Sequence, residues 1–308
     1  MKRILLVADV HGWIFERHCL EIKKRLPEYR IDIAYCRDNV ELLSKDYDLV
    51  YVLDPMPIRY PSPEKTIIGL RCEWLYLSHP GGAQGLYEKG IEGRCSSIKD
   101  KCCIFHVVNR RQLGVFTPIV TDKPLLLAQH GVDETCYVWD HQYPKHTKLV
   151  VGAVGRSNSD GVKGFDIIKE KCDLLGFEYR HAGYHGRRLT KEEMPAFYKD
   201  LDIFVSWSVT EGLCNPVLEA GAMGRLIVTT EAGAAPEIIE DSKNGIMTNW
   251  NNLTWGLQVM ESALSLNNGE YAKHLSENMH KTIMDNWVWA VRIEDFRKMF
   301  NLFFEMHP

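Results

Sequence analysis

Residues 202–224 contain the feature that most restricts the fold: a short apolar run, then a polar turn, then a helix pattern. The run from Asp202 to Trp207 is typical of a buried strand in a parallel sheet. Asn215 is a favourable N-cap and Pro216 suits the first helical position, so we expect a helix to begin there and to end at Gly224. The segment predicts a strand–turn–helix unit, which is the building block of α/β folds.

Two glutamates flank this predicted turn. Glu211 follows the strand, and Glu219 lies just over one turn into the helix. Backbone N–H groups at a helix start attract anions, so the turn is a predicted anion site. A carboxylate beside an anion site is unfavourable unless it contacts another part of the ligand. A sugar ring or a ribose supplies the hydroxyl groups for that contact.

Strand-like runs alternate with helical stretches along the whole chain, which predicts parallel sheets built from α/β units. The runs are 3–8, 31–35, 49–53, 66–70, 103–108, 124–128, 149–154, 177–182, 203–206 and 226–229. These are too many strands for one compact sheet in 308 residues, so we expect two Rossmann-like domains. The polar break at 143–146 is the predicted boundary. Apolar residues recur at helical spacing from Phe296 to Phe303, which indicates a final helix with a buried face.

Composition excludes several classes of protein. The net charge of −4 gives no general attraction to nucleic acid or membranes. No run approaches the ~20 apolar residues of a membrane span, and Asp9 and His11 interrupt the first apolar run too early for a signal peptide. The nine cysteines form no C-x-x-C pair and no zinc-like cluster. We therefore expect reduced thiols, a cytoplasmic location and no metal site.

One segment of the first half is locally basic. Residues 86–111 hold six basic side chains against three acidic ones. A solvated loop and helix face is the simpler interpretation, and a docking patch for an anionic acceptor or a phospholipid surface is the alternative. The basic residues are Lys89, Arg94, Lys99, Lys101, Arg110 and Arg111.

A glycine-rich loop follows the run at 149–154 and contains Gly155, Arg156 and Lys163. The carboxyl ends of parallel strands meet at one edge of a sheet, so the two cations should face the turn at Glu211 and Gly212. Two cations beside helix amides can hold a diphosphate without magnesium. The sequence therefore predicts a diphosphate site between this loop and the turn.

The pattern S-x4-E-G-x2-N-P-x-L-E-A-G-A-M-G, from Ser206 to Gly224, resembles the E-x7-E motif of retaining GT-B glycosyltransferases, especially family 4. The resemblance implies an α/β fold of two Rossmann-like domains whose parallel sheets face a central cleft. Residues 1–145, with a C-terminal helix at about 291–308 that crosses back, would bind the acceptor. Residues 146–290 would bind a nucleotide-sugar donor.

The resemblance also implies roles for individual residues. Glu211 would lie beside the donor sugar and Glu219 on the ribose, while Arg156 and Lys163 would bind the diphosphate. Arg156 and Lys163 are seven positions apart in the chain, and this spacing is longer than in the common form of the family's loop. The backbone contacts to sugar and phosphate would come from Gly12, Gly155, Gly212, Leu213, Cys214 and Asn215.

The acceptor side is less well determined. The loop Asp9-Val-His-Gly-Trp13 matches the position of the family's glycine-bearing cleft loop, so His11 and Trp13 are candidates, although His11 has the simpler reading of an ordinary loop histidine. Tyr184 is a positional candidate for contacting the base. Many relatives carry a histidine after the fourth strand, where this chain reads Gly69-Leu-Arg-Cys-Glu-Trp74. The candidates to replace it are Arg71, Glu73 and His79.

The sequence thus predicts a retaining, metal-independent glycosyltransferase. It would move a hexose-type sugar from a nucleotide-diphosphate sugar, which is a co-substrate and not a cofactor, to a hydroxyl acceptor. The acceptor could be anionic or lipid-linked, and the basic segment allows a peripheral membrane contact. The missing histidine keeps open, as an alternative, a non-catalytic GT-B subunit that binds nucleotide sugar or scaffolds a partner. A sugar-nucleotide epimerase on the same fold is a third reading.

Overall fold

The computed structural model describes residues 1–71, 95–144, 146–155, 162–183 and 189–308. These residues form two compact units, one of residues 1–130 with 292–308 and one of residues 131–291. Each unit has a parallel β-sheet with helices in the connections. The predicted α/β class with two Rossmann-like parallel sheets is confirmed.

The first unit contains a six-stranded sheet. Its strands are β1 (Arg3–Ala8), β2 (Arg30–Tyr35), β3 (Leu49–Val52), β4 (Thr66–Leu70), β5 (Ile104–Val107) and β6 (Leu125–Leu127). The helices between its strands are α1 (Ile14–Arg25), α2 (Val40–Leu43) and α3 (Arg110–Phe116). The strand order is β2-β1-β3-β4-β5-β6. The residues of β3 and β4 are all buried, as expected for inner strands of a sheet that is covered on both faces.

The second unit contains a five-stranded sheet. Its strands are β7 (Val150–Val154), β8 (Glu178–Ala182), β9 (Ile203–Ser206), β10 (Leu226–Thr229) and β11 (Ile246–Met247). Its helices are α4 (Phe165–Leu175), α5 (Met194–Lys199), α6 (Asn215–Ala222), α7 (Ala235–Ile238), α8 (Leu253–Ser265) and α9 (Glu270–Asn286). The strand order is β11-β10-β9-β7-β8. Val151, Ile203 and Leu257 belong to the buried core of this unit.

Residues 131–144, which the sequence assigned to the first half, lie with the second unit. Val132 donates its N–H to the carbonyl of Trp287 at 2.8 Å and accepts from the N–H of Trp289 at 3.0 Å. A Cβ atom at Gly131 would lie 2.3 Å from the carbonyl carbon of Val288. These backbone contacts tie the segment to the end of α9, and a polar break in the sequence carries no signal for them.

The last helix, α10 (Trp289–Met306), leaves the second unit and returns to the first. The residues of the predicted apolar stripe, from Phe296 to Phe303, are almost completely buried. The rings of Phe300 and Tyr51 lie 6.1 Å apart, so the helix packs against β3. Among the described residues, no helix has both the length and the apolarity to cross a membrane.

Candidate functional site

The loops that follow β7 and β9 form the candidate site of the second unit. These two strands are neighbours, and the strand order reverses between them because β8 lies on the other side of β7. Ligands of open parallel sheets bind at this point, outside the carboxyl ends of the strands. The loop with Gly155 and Lys163 follows β7, and the turn with Glu211 follows β9.

Lys163 and Glu211 contact each other across these two loops. The ammonium of Lys163 forms a salt bridge with Oε1 of Glu211, and the Ser208 hydroxyl donates to the same oxygen at 2.6 Å. The side chains of Lys163 and Glu211 keep 29% and 15% of their surface exposed. A cation paired in this way can exchange its carboxylate for a phosphate oxygen, since both form charge-assisted hydrogen bonds.

The backbone holds this pair in place. Val209 donates its N–H to the carbonyl of Val162 at 2.9 Å, which joins the two loops directly. Gly164 has a φ of +58°, and a Cβ atom there would lie 2.6 Å from the carbonyl oxygen of Trp207. Gly155 donates to the carbonyl of Ala182 at 3.0 Å. The loop therefore needs glycine at position 164, where it approaches the end of β9.

The segment after β10 supports the Glu211 turn from the other side. A Cβ atom at Gly233 would lie 2.3 Å from the carbonyl oxygen of Gly212, and Ala234 donates its N–H to that oxygen at 3.0 Å. The Thr230 hydroxyl donates to the carbonyl of Ser208 at 2.6 Å. Ser208 was not among the predicted site residues, and residues 230–237 resemble a largely structural signature of GT-B glycosyltransferases to which the sequence analysis assigned no chemistry.

Helix α6 begins one residue earlier than predicted. Cys214 is the N-cap, Asn215 is the first helical residue, and Leu218 donates its N–H to the carbonyl of Cys214 at 3.3 Å. The Cys214 side chain makes no capping bond, and its Sγ lies 3.2 Å from Oγ of Ser206. Burial raises the pKa of the Cys214 thiol to about 12, so this residue stays a neutral thiol. Leu213 beside it is also buried.

Glu219 has a partner that sequence analysis missed. The hydroxyl of Tyr198, at the end of α5, donates to Oε2 of Glu219 at 2.6 Å. Tyr198 is completely buried, and burial together with the charge of Glu219 raises its pKa well above the ordinary value. The tyrosine therefore remains a hydrogen-bond donor. Nothing in the sequence pattern links these residues, because the contact depends on how α5 packs against α6.

In the first unit, Glu16 organises the loop after β1. It accepts hydrogen bonds from the N–H of Gly12 at 2.5 Å and from the Tyr35 hydroxyl, and its Oε1 lies 3.1 Å from Nδ1 of His11. The Tyr35 hydrogen bond is the main cause that lowers the pKa of Glu16, against the effect of burial. Trp13 is the N-cap of α1 and makes no side-chain capping bond, so Glu16, at the third helical position, had no capping-box signal in the sequence.

Arg71 lies in a buried network, with 5% of its surface exposed. Its guanidinium lies 2.7 Å from Nδ1 of His18 and donates to the Tyr51 hydroxyl at 2.9 Å, while its backbone N–H donates to Asp54 at 3.1 Å. The Tyr51 hydroxyl lies 2.8 Å from His106, whose pKa burial and Arg71 lower to about 3. The guanidinium of Arg71 therefore forms hydrogen bonds inside the first unit and is not directed to solvent.

Several predicted residues lie outside the described part of the chain: Arg156, Glu73, His79, Tyr184, Lys89 and Arg94. The remaining residues of the basic segment, Lys99, Lys101, Arg110 and Arg111, are exposed. Within the described ranges, no group of three or more histidine, cysteine or acidic side chains could hold a metal ion.

A comparison with known sequences finds a family whose members resemble the second unit. Residues 142–257, which contain both glutamates, match the sequence model of the family described as Glycosyl transferases group 1. The segment resembles group 1 glycosyltransferases. The chain is also 26% identical, over 142 residues, to an uncharacterized glycosyltransferase of Methanocaldococcus jannaschii. That match covers 45% of this chain and 36% of the relative, so the chain spans about a third of the relative's length.

The whole chain resembles solved glycosyltransferase structures in fold. Sucrose-phosphate synthase from Thermosynechococcus elongatus has a TM-score of 0.74 at 11% identity, covering 99% of this chain and 100% of that one. HepE from Anabaena, in complex with UDP and glucose, has a TM-score of 0.68 at 13% identity, covering 98% and 100%. At these identities the likeness establishes the fold alone, and it confirms the predicted GT-B fold.

Proposed function

We propose that this protein is a retaining glycosyltransferase that moves a hexose-type sugar from a nucleotide-diphosphate sugar to a hydroxyl acceptor. The observation that carries the proposal is the contact between Lys163 and Glu211 at the reversal point of the second sheet. The contact lies in the segment that matches group 1 glycosyltransferases. The UDP and glucose named with HepE support the same ligand class.

In this proposal the donor lies across the loops after β7 and β9. Arg156 and Lys163 bind the diphosphate together with the N–H groups at the start of α6, and Glu219 binds the ribose. Lys163 leaves Glu211 when the diphosphate arrives, because the phosphate oxygens offer it an alternative charged partner. The Glu211 carboxylate is then placed beside the sugar ring.

The chemistry follows from these charges. The bond between the anomeric carbon and the diphosphate oxygen breaks, and the cations and amides stabilise the negative charge that develops on the diphosphate. Glu211 stabilises the positive character of the sugar ring. The acceptor hydroxyl attacks from the face that the diphosphate leaves, and a departing phosphate oxygen takes its proton. This sequence of events retains the anomeric configuration and needs no metal ion or cofactor.

The first unit would then receive the acceptor, in a cytoplasmic enzyme. His11, Gly12 and Trp13 lie in the loop after β1, at the carboxyl edge of the first sheet. The exposed Lys99 and Lys101 favour an anionic or lipid-linked acceptor. An acceptor KM that rises with ionic strength, while the donor KM changes less, would support this role.

A non-catalytic GT-B subunit is the second candidate, because one observation favours it. Arg71, a candidate to replace the family's histidine, has its guanidinium bonded to His18 and Tyr51 inside the first unit. A protein that binds a nucleotide sugar without transferring it would need no catalytic group there.

One set of measurements tests both candidates. A thermal-shift screen against UDP-, GDP-, ADP- and TDP-sugars identifies the donor, and isothermal titration gives its Kd. Hydrolysis and transfer assays on that donor, with and without excess EDTA, follow. Donor binding with transfer that survives EDTA supports the proposal. Binding without hydrolysis or transfer favours the non-catalytic subunit, and stabilisation by none of the donors contradicts both.

A further inference from the structure

The carboxylate of Glu219 is held by a residue of the neighbouring helix. Tyr198 lies on α5, and its hydroxyl donates to Oε2 of Glu219 at 2.6 Å. The Tyr198 ring makes edge contacts with Tyr137 at 6.0 Å and with Phe204 at 5.7 Å between ring centroids. Since all three rings are buried, Tyr198 cannot move away without opening the core of the second unit.

We propose that Tyr198 is a positioning residue that fixes Glu219 for the ribose of the donor nucleotide, and that the pair selects ribonucleotides over 2′-deoxyribonucleotides. This inference rests on the proposed function, in which Glu219 binds the ribose hydroxyls. It goes further in assigning to Tyr198 the orientation of the Glu219 carboxylate.

Tyr198 can affect the selectivity because it fixes the orientation of the Glu219 carboxylate. Glutamate has three rotatable side-chain bonds, and fixing them before the ligand arrives removes an entropic cost from binding. A site that is built to bond a ligand hydroxyl rejects the analogue without it, because a polar group of the site is then left without its partner. A carboxylate that could turn to water would lose much of this discrimination. The buried Tyr198 hydroxyl prevents that rotation.

Isothermal titration can measure this selectivity. Wild type is titrated with UDP, GDP, ADP and TDP, and the tightest binder among the first three is then compared with its own 2′-deoxy form. The same pair is titrated into Tyr198→Phe, which removes one hydroxyl and keeps the ring. We expect the Kd of the ribonucleotide to rise about 5- to 12-fold, as for one net hydrogen bond, while the Kd of the deoxynucleotide changes little. Turnover at saturating donor should change less than about twofold.

Two further variants separate positioning from a general loss of structure. Tyr179→Phe is the matched control, because it removes a buried hydroxyl without a hydrogen-bond partner from β8 of the same unit. It should keep the wild-type selectivity. In a Glu219→Gln background, Tyr198→Phe should reduce selectivity by less than it does alone, since the two residues act as a pair.

The outcomes are distinct. A Tyr198→Phe variant that keeps wild-type selectivity, or weakens both nucleotides equally, would overturn the positioning role. Wild type that binds ribonucleotide and deoxynucleotide equally well would overturn the assignment of Glu219 to ribose, and the inference with it. Wild type that binds TDP but none of UDP, GDP and ADP would overturn the inference alone. Wild type that binds none of the four would instead contradict the proposed function itself.

Discussion

In both units, polar loops follow the carboxyl ends of the parallel strands. The hydrogen bonds of these loops differ between the loop after β1 and the loops after β7 and β9. In the first unit, Glu16 of α1 accepts hydrogen bonds from the N–H of Gly12 and from the hydroxyl of Tyr35 at the end of β2, so elements of the same unit fix the loop after β1. In the second unit, Lys163 and Glu211 join two separate loops and remain partly exposed. A ligand can compete for the second arrangement more readily than for the first.

The exposure of two cations, Arg71 and Lys163, shows the same contrast between the two units. Arg71 and Lys163 both lie near the carboxyl edges of their sheets, yet Arg71 is 5% exposed and the Lys163 side chain is 29% exposed. A buried cation bonded to neighbouring side chains contributes mainly to the fold, whereas a partly exposed cation that is paired with one carboxylate can take an anion as its alternative partner. Mutation of Arg71 should therefore change the stability of the protein, and mutation of Lys163 its activity.

Glu211 should give the largest effect. Glu211→Gln removes the charge that the proposal places beside the sugar ring. It should lower kcat by about 10²- to 10³-fold, with a smaller rise in donor KM, because that charge would act mainly in the transition state. Steady-state kinetics with the identified donor measure both constants. Glu231→Gln, an exposed carboxylate after β10, is the control. Wild-type turnover of Glu211→Gln at saturating donor would remove Glu211 from the mechanism.

Lys163 should give the next largest effect, and it acts on binding. Lys163→Met should weaken a nucleoside diphosphate by about 1.5–3 kcal/mol, the range for charge-assisted hydrogen bonds, and leave the nucleoside almost unchanged. Arg156→Ala should act in the same direction. Since Lys163→Met also leaves the Glu211 carboxylate unneutralised beside the diphosphate, adding Glu211→Gln should restore part of the affinity. Equal losses for nucleoside and diphosphate in titration calorimetry would exclude a diphosphate role for Lys163.

Features that depend on local pattern could be predicted from the sequence. The buried apolar runs gave β1, β4 and β9 with the bounds that the structure shows. The two-residue strand β11 was missed because so short a strand leaves no periodic signal. The sequence predicted that Lys163 faces the Glu211 turn, since parallel strands bring their carboxyl ends to one edge, but it did not predict the salt bridge between the two side chains.

Features that depend on long-range packing could not be predicted. Arg71 contacts His18, which lies 53 positions earlier in the chain, and only the packing of α1 on the sheet brings them together. Tyr198 reaches Glu219 from a different helix for the same reason. The start of α6 was misplaced by one residue, because the carbonyl of Cys214 accepts the first helical hydrogen bond although its side chain is a poor cap.

Replacing Arg71 tests whether the buried polar network of the first unit contributes to stability and not to donor binding. Arg71→Met should destabilise the protein by about 1–3 kcal/mol, because it leaves buried polar groups on His18 and Tyr51 without that partner. A fall in Tm of about 3–10 °C with an unchanged donor Kd is the expected result. Arg59→Met, at an exposed arginine of the same unit, is the control. A stable Arg71→Met protein that binds donor but has lost transfer would show instead that Arg71 acts on the acceptor.

Glu16 should give the smallest effect, and its sign depends on pH. Its pKa is lowered in the folded protein, so the unfolded chain binds more protons near the usual value of 4.5. The stabilisation from its charge is therefore present above that value and is lost as the pH falls through the lower, folded-state pKa. Glu16→Gln should reduce Tm by about 1–3 °C at neutral pH, as expected for weakened surface hydrogen bonds.

The Tm difference between wild type and Glu16→Gln should shrink as the pH falls from about 7 to about 3.5, which thermal melts can follow. Glu64→Gln, at an exposed glutamate of the same unit, controls for the change in net charge. Because Glu16 fixes its loop internally, donor affinity should stay unchanged across this series. A Tm difference that is constant with pH, or a donor Kd that follows it, would mean that the loop after β1 is held in another way. The contrast between the two sheet edges would then have to rest on Arg71 alone.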